Sequence, residues 1–225
     1  MGKFIIPALR TFLLGGSVLG LLLFLPAGTL IYWQAWVFII VFMVAVNALG
    51  IYLSLHDPEL LERRKRVGPA AEQKTAQKII VSLLIIGCIA VLLCSALDHR
   101  FGWSHVPAAV ALLGDGLVLL GLLICYFVLR ENRFGSSTVQ IMDGQHVIST
   151  GPYALVRHPM YVGTLIMIAG VPIALGSWWG LVLLALIIPV LIWRILDEEQ
   201  LLAGDLPGYR EYTRTVRYRL VPYVW

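Results

Sequence analysis

Residues Gly151–Gly180 read GPYALVRHPMYVGTLIMIAGVPIALGSWWG. A turn-prone Gly-Pro-Tyr leads into an Arg-His pair. Pro159 then opens an apolar run, which breaks at Gly176-Ser177-Trp178-Trp179-Gly180 and resumes to Ile195. Proline is favoured at the first position of a helix, and a Gly-rich break between two apolar runs is a turn signal. The stretch therefore predicts a polar loop entering a bilayer, followed by a tight helical hairpin.

The composition agrees. The chain has 225 residues, of which 59% are hydrophobic and 13% charged. Its mean hydropathy is +0.85. A soluble domain carries about 25% charged residues, so an all-α integral membrane protein is expected. A span needs roughly 20 apolar residues. Six candidates appear: Thr11–Ile31, Tyr32–Leu55, Ile79–Leu97, Pro107–Leu129, Met160–Gly176 and Gly180–Ile195, the last two short. The first follows Lys3 and Arg10, as a signal peptide would. A second span comes almost at once, so an uncleaved first helix is expected.

Charge sets the orientation. If six spans alternate from a cytosolic N-terminus, every Lys and Arg except Arg100 falls on the cytosolic side, including Arg63, Arg64, Lys65 and Arg66. That is the positive-inside pattern, and Tyr32, Trp33, Trp36, Trp103, Trp178 and Trp179 gather on the opposite side as an aromatic belt. Both termini are then cytosolic. The net charge of +4 is explained by topology and anionic lipid headgroups, with no nucleic-acid partner. The Arg63–Arg66 cluster reads as a topology anchor, its alternative being a grip on an acidic or lipidic substrate. Cys88, Cys94 and Cys125 lie within apolar spans without metal-ligand spacing, so no metal is expected. Gly16 and Gly20 make a G-x-x-x-G of the kind that marks helix packing. Asp115, between two glycines near the outer end of the fourth span, is expected to be a helix-terminal cap or to mark a slightly shorter span, its alternative being a functional ionisable group. Residues 1–106 form a first unit of three spans with a basic loop, and residues 107–225 a second that carries the chemistry.

The chemistry concentrates at the cytosolic ends of the hairpin. A helix starting at Pro159 presents free N–H groups and a partial positive charge, which Arg157 and His158 augment; such a place suits a carboxylate or phosphate. At the other end, Arg194 and Glu198 share one helix face, and Asp197-Glu198-Glu199 bring acidic charge. One end attracts anions and the other cations. A ligand with both an α-carboxylate and an α-ammonium fits, as an amino acid, a zwitterionic headgroup or S-adenosylmethionine would. Tyr153, Tyr161, Tyr209 and Tyr212 add aromatic faces for a cation or a purine. The loop Glu131–Val156 and the tail Asp197–Trp225 are expected to fold together over this end.

The pattern Gln145-His146-Val147-Ile148-Ser149-Thr150-Gly151-Pro152-Tyr153, then Arg157-His158-Pro159-Met160-Tyr161-Val162-Gly163, then Arg194 with Glu198-Glu199, then Gly208-Tyr209-Arg210-Glu211-Tyr212, resembles the isoprenylcysteine carboxyl methyltransferase family, in its prokaryotic branch. The resemblance covers roughly residues 107–225. It implies a multi-pass membrane enzyme, in the plasma membrane of a prokaryote, binding S-adenosylmethionine on the cytosolic side. By the resemblance, His146, Gly151, Pro152, Tyr153, Arg157, His158, Pro159, Tyr161, Glu198 and Glu199 hold the cofactor. Arg157, Arg194 and Glu198 are the catalytic candidates, with one arginine at the reacting carboxylate and the other at the cofactor's methionyl end. The acceptor would be a lipophilic molecule arriving from the bilayer.

Methyl transfer to a carboxylate needs no general base, because the acceptor is ionised at neutral pH. Arg157→Ala is then expected to abolish transfer in a protein that still folds. The alternatives are a phospholipid or small-thiol methyltransferase on the same scaffold, an NADPH-dependent membrane reductase with a related Arg-His stretch, and a transporter or scaffold without catalysis. No G-x-G-x-x-G follows a predicted strand, which disfavours a soluble dinucleotide-type fold.

Overall fold

The computed structural model describes residues 2–225, except the side chains of residues 2–5 and 7. The charge of Lys3, used above to orient the N-terminus, lies outside the described residues. The described residues form eight α-helices and two short 3-10 turns, with no strand. Five helices are long and apolar enough to cross a membrane: α1 (Gly2–Ala27), α2 (Trp33–His56), α4 (Thr75–Phe101), α5 (Ala108–Glu131) and α7 (Trp178–Asp205). A shorter apolar helix, α6 (Pro159–Ala174), completes the set, with α3 (Pro58–Lys65) and α8 (Tyr209–Thr215) at the Arg-rich end. This is an all-α integral membrane protein.

The hairpin is asymmetric. Pro159 starts α6 as expected, and Gly176, at φ 74°, ends it in a conformation that L-residues with a side chain rarely adopt. Ser177 then caps α7 by accepting the Gly180 N–H at 3.0 Å. But α7 runs for 28 residues rather than stopping at Ile195. Its charged turn holds together because Arg194, Glu198 and Glu199 each find partners on other elements. Beyond them, Leu202 and Ala203 pack against Leu206, Tyr209, Tyr212 and Val216, where Ile141 and Val147 of the 132–158 loop join them. Loop and tail do fold together over this end.

Helices α5 and α6 make the closest contact. A Cβ built at Gly121 would sit 2.5 Å from the Gly163 carbonyl oxygen, and one at Gly163 would sit 2.8 Å from that of Gly121. One seven-residue step away, Gly114 and Gly170 repeat the arrangement, with clashes at 2.2 Å against Ala174 N and 2.7 Å against Gly114 O. Small residues let two backbones meet where apolar side chains would hold them apart. The Gly16/Gly20 pair is different: a Cβ at Gly16 would meet nothing within 4 Å and one at Gly20 only Phe24 of the same helix, so among the described residues that pair packs against no other helix.

At the end remote from the arginines, Asp98 is buried and accepts from Ser104 N (2.7 Å), Ser104 Oγ (2.6 Å) and Ser177 Oγ (2.5 Å). Tyr32, expected in the aromatic belt, is instead fully buried and donates to the Leu175 carbonyl at 2.6 Å. These bonds fix the α6–α7 turn to α2 and α4. Asp115 is not a cap. Pro107 precedes α5, and Asp115 lies in its third turn, buried, with neither carboxylate oxygen partnered among the described residues.

Candidate functional site

The Arg-rich ends of the helices enclose a cavity of about 410 Å³. Ligand pockets run from about 300 to 1,000 Å³. Its walls come from α3 and the segment after it, the first turns of α4, the 132–148 loop, the start of α6, the later part of α7, and α8.

Arg157 and His158 lead into α6 with their backbone paired to the C-terminal tail. Arg157 N donates to the Tyr218 carbonyl at 2.9 Å and His158 N to that of Arg219 at 3.0 Å. The Arg157 guanidinium continues the same attachment. Its Nε donates to Glu199 Oε1 at 2.7 Å, and its Nη1 to the carbonyls of Val216 (3.1 Å) and Arg217 (2.8 Å). Nη2 has no partner among the described residues. Glu199 also meets His158 Nε2 at 3.2 Å and accepts from Arg219 Nε at 2.8 Å. Glu199 is thus saturated by protein and lies outside the cavity lining.

Arg194 is more fully engaged. Its Nε donates to the Tyr161 hydroxyl (3.1 Å), its Nη1 to Glu72 Oε1 (3.1 Å) and Gln77 Oε1 (2.7 Å), and its Nη2 to the Ser137 carbonyl (3.0 Å). Glu72 spends its second oxygen on Val139 N at 3.1 Å, and Gln77 donates to Asp197 at 2.6 Å. Arg194, Glu72 and Gln77 are all buried. This network ties α4 and the preceding segment to α7.

Glu198 is turned differently from its neighbour. Successive helix residues differ by about 100° in direction, so Glu199 faces the tail while Glu198 faces the cavity. Tyr161 donates to Glu198 Oε2 at 2.5 Å, and Oε1 has no partner among the described residues. Tyr209 also lines the cavity, and its buried hydroxyl has no partner either. Tyr153 accepts from Asn132 at 2.9 Å, and its carbonyl accepts from the Tyr212 hydroxyl at 2.7 Å. Burial, chiefly, pushes the Tyr153 phenol up to about 12. Burial likewise raises Tyr209 and Tyr212 well above the ordinary phenol range. All three are neutral hydroxyls near pH 7.

The remaining candidates from the sequence take their places around this core. His146, exposed and edge-on to Phe134, and Pro159 line the cavity. Gly151 and Pro152 do not line it; they build the turn that delivers Tyr153. Gly151 has φ 56°, and a Cβ there would come 2.9 Å from Glu131. Glu72 and Gln77 are not legible as site residues in the sequence, and Arg64 is so only through the alternative role of its basic cluster. Arg64 lies in a basic run that reads as an anchor, and Glu72 and Gln77 have no local motif. Only the folded chain brings them to the site.

Residues 109–205 match the family model described as phospholipid methyltransferase. The Delta(14)-sterol reductase of Mus musculus is 31% identical over 94 residues, an alignment that covers 40% of this chain and 22% of the reductase. The chain therefore spans about a fifth of that relative. The stretch from α5 to the end of α7, which carries Tyr153, Tyr161, Arg194 and Glu198, is the part of this chain similar to the phospholipid methyltransferase family.

Proposed function

We propose that this protein is a membrane methyltransferase that uses S-adenosylmethionine at the boundary between bilayer and cytosol. The acceptor is lipophilic, and the finer reading is O-methylation of a carboxylate, as on a lipid-modified cysteine. The observation that carries the proposal is the pairing of Glu198 and Tyr209. Each presents an unpartnered oxygen to one cavity, and Glu198 lies in the segment that matches a methyltransferase family.

These groups fit the cofactor. Glu198 Oε1 suits an ammonium. The Tyr209 hydroxyl suits a ribose or purine heteroatom, and Tyr153 and Tyr212 supply aromatic surface. When bound, S-adenosylmethionine supplies an electrophilic methyl group. A carboxylate acceptor, already ionised near pH 7, would take that methyl group without a proton transfer, so these residues need supply no general base. The chain's own contribution is positional. Tyr161, fixed between Arg194 and Glu198, holds the carboxylate in place, and the apolar walls exclude water from the reacting oxygen. Val81, Leu84 and Ile85 give the cavity an apolar wall that suits the tail of an acceptor coming from the bilayer.

The test is thermal stabilisation of the detergent-purified protein by S-adenosylhomocysteine, with NADPH as the control. At 100 times Kd a ligand stabilises by about 2.7 kcal/mol. A shift with the homocysteine compound supports the proposal. A shift with NADPH alone supports a reductase, the reading that the mouse sterol reductase similarity favours. Labelled-methyl assays on carboxylate, phospholipid and thiol acceptors then separate O-, N- and S-methylation.

A further inference from the structure

Three arginines line the cavity: Arg64, Arg157 and Arg194. Arg157 is paired with Glu199 and Arg194 with Glu72. Arg64 has no carboxylate within reach among the described residues. Its backbone carbonyl accepts from Ser137 Oγ at 3.0 Å, and its Nη1 makes one long bond, 3.3 Å, to the Ser136 carbonyl. Nε and Nη2 are uncommitted. The residue is half-buried in the cavity wall, and partial withdrawal from water lowers its pKa. A guanidinium there without a counter-charge favours a bound anion.

The place also matters. Arg64 belongs to α3, outside the segment that matches the methyltransferase family. Tyr153, Tyr161, Cys125 and Arg194 lie close enough to influence it electrostatically, and Val81, Leu84 and Ile85 give the same cavity an apolar wall. Glu198 and Tyr209 belong to α7 and α8. We infer that Arg64 recognises an anionic group, carboxylate or phosphate, on the apolar-tailed methyl acceptor, so that acceptor selection resides in the N-terminal part of the chain. This rests on the methyltransferase reading for the word acceptor. The ligand chemistry itself stands on the unpaired guanidinium and the apolar wall. A guanidinium forks onto either anion in two parallel bonds. If the group is a carboxylate, methylation removes its charge, and the neutral ester loses its hold on Arg64 and leaves.

The full chain in neutral detergent is followed by thermal unfolding with S-adenosylhomocysteine, dodecanoate, dodecyl phosphate or dodecyltrimethylammonium. Dodecanoate or dodecyl phosphate should raise Tm by about 3 °C or more; the larger shift identifies which anion is read. The trimethylammonium compound should not. Arg64→Gln should abolish the anionic shift and keep that of S-adenosylhomocysteine, which also reports folding. Arg64→Lys should retain part of the anionic shift, and Arg66→Gln, at an exposed position, all of it. The inference is overturned if neither anion stabilises the wild type, or if the cationic amphiphile does so equally. It is also overturned if Arg64→Gln responds to the anions like wild type, or loses the S-adenosylhomocysteine shift instead. A wild type stabilised through Arg64 by an anion, but not by S-adenosylhomocysteine, would remove the methyltransferase reading and keep the anion site.

Discussion

Arg157 Nε lies 2.7 Å from Glu199 Oε1, and the same guanidinium holds the carbonyls of Val216 and Arg217. The arginine that the motif singles out for chemistry thus fastens the tail to α7. Its neighbour in role, Glu198, is the carboxylate left open to the cavity.

Arg157→Ala should therefore lose stability as well as activity. Removing one partner of a buried ion pair costs about 3–5 kcal/mol, and two backbone carbonyls lose their donor. Thermal unfolding in detergent should show a clear drop in Tm, with Arg157→Lys in between. A variant that melts like wild type but is inactive would return Arg157 to the reacting group.

Glu198→Gln keeps an oxygen for the Tyr161 hydroxyl and removes the negative charge. The fold should be retained, and S-adenosylhomocysteine affinity by calorimetry should fall at least tenfold, about 1.4 kcal/mol. Glu199→Gln should show the opposite balance: a lower Tm and a smaller change in ligand affinity.

Gly121→Leu should destabilise strongly, because its first side-chain atom would already overlap the Gly163 carbonyl. Overpacking costs typically about 1–3 kcal/mol where a core can shift, and backbone against backbone has little freedom to do so. Gly16→Leu, in open space, should leave Tm unchanged. Detergent melting curves of the two variants make the comparison.

Stability should fall from pH 10 upward. The Tyr153 phenol is raised from 10.0 to about 12 in the folded protein, and Tyr209 and Tyr212 are raised further. Between the unfolded and folded values the unfolded chain releases protons that the native state retains, so unfolding is favoured as pH rises. Below pH 10 the contribution is fully present. Tyr212→Phe should flatten the fall in Tm between pH 10 and 12, and an equally steep profile in that variant would count against the assignment.

Much of the architecture is legible in the chain because each span is a local property. Apolar length, Pro159 at a helix start and a Gly-Ser turn before Trp178 need no knowledge of the rest. Extending α7 past Ile195 is not legible in that way, since its charged turn is helical only because partners arrive from elsewhere. Glu72 and Gln77 reach Arg194 across 122 and 117 residues of sequence, and a pairing so remote leaves no spacing to recognise. The glycine seam was missed for another reason. Attention falls on G-x-x-x-G, whereas Gly114 and Gly121, like Gly163 and Gly170, are seven apart. Arg157's partners include backbone carbonyls, which carry no side-chain identity at all. The separation of Glu198 from Glu199 is partly legible, because helix phase turns adjacent side chains about 100° apart.

The backbone contact between α5 and α6 has a mechanical consequence. Two helices joined glycine to carbonyl have no side-chain layer to compress, so they form a stiff jaw. The facing jaw, α3 with the segment leading into α4, is tethered by side-chain bonds such as Arg64 to Ser136 and Arg194 to Glu72. Any widening that admits a bulky guest falls on that second jaw, and its bonds set how far it yields.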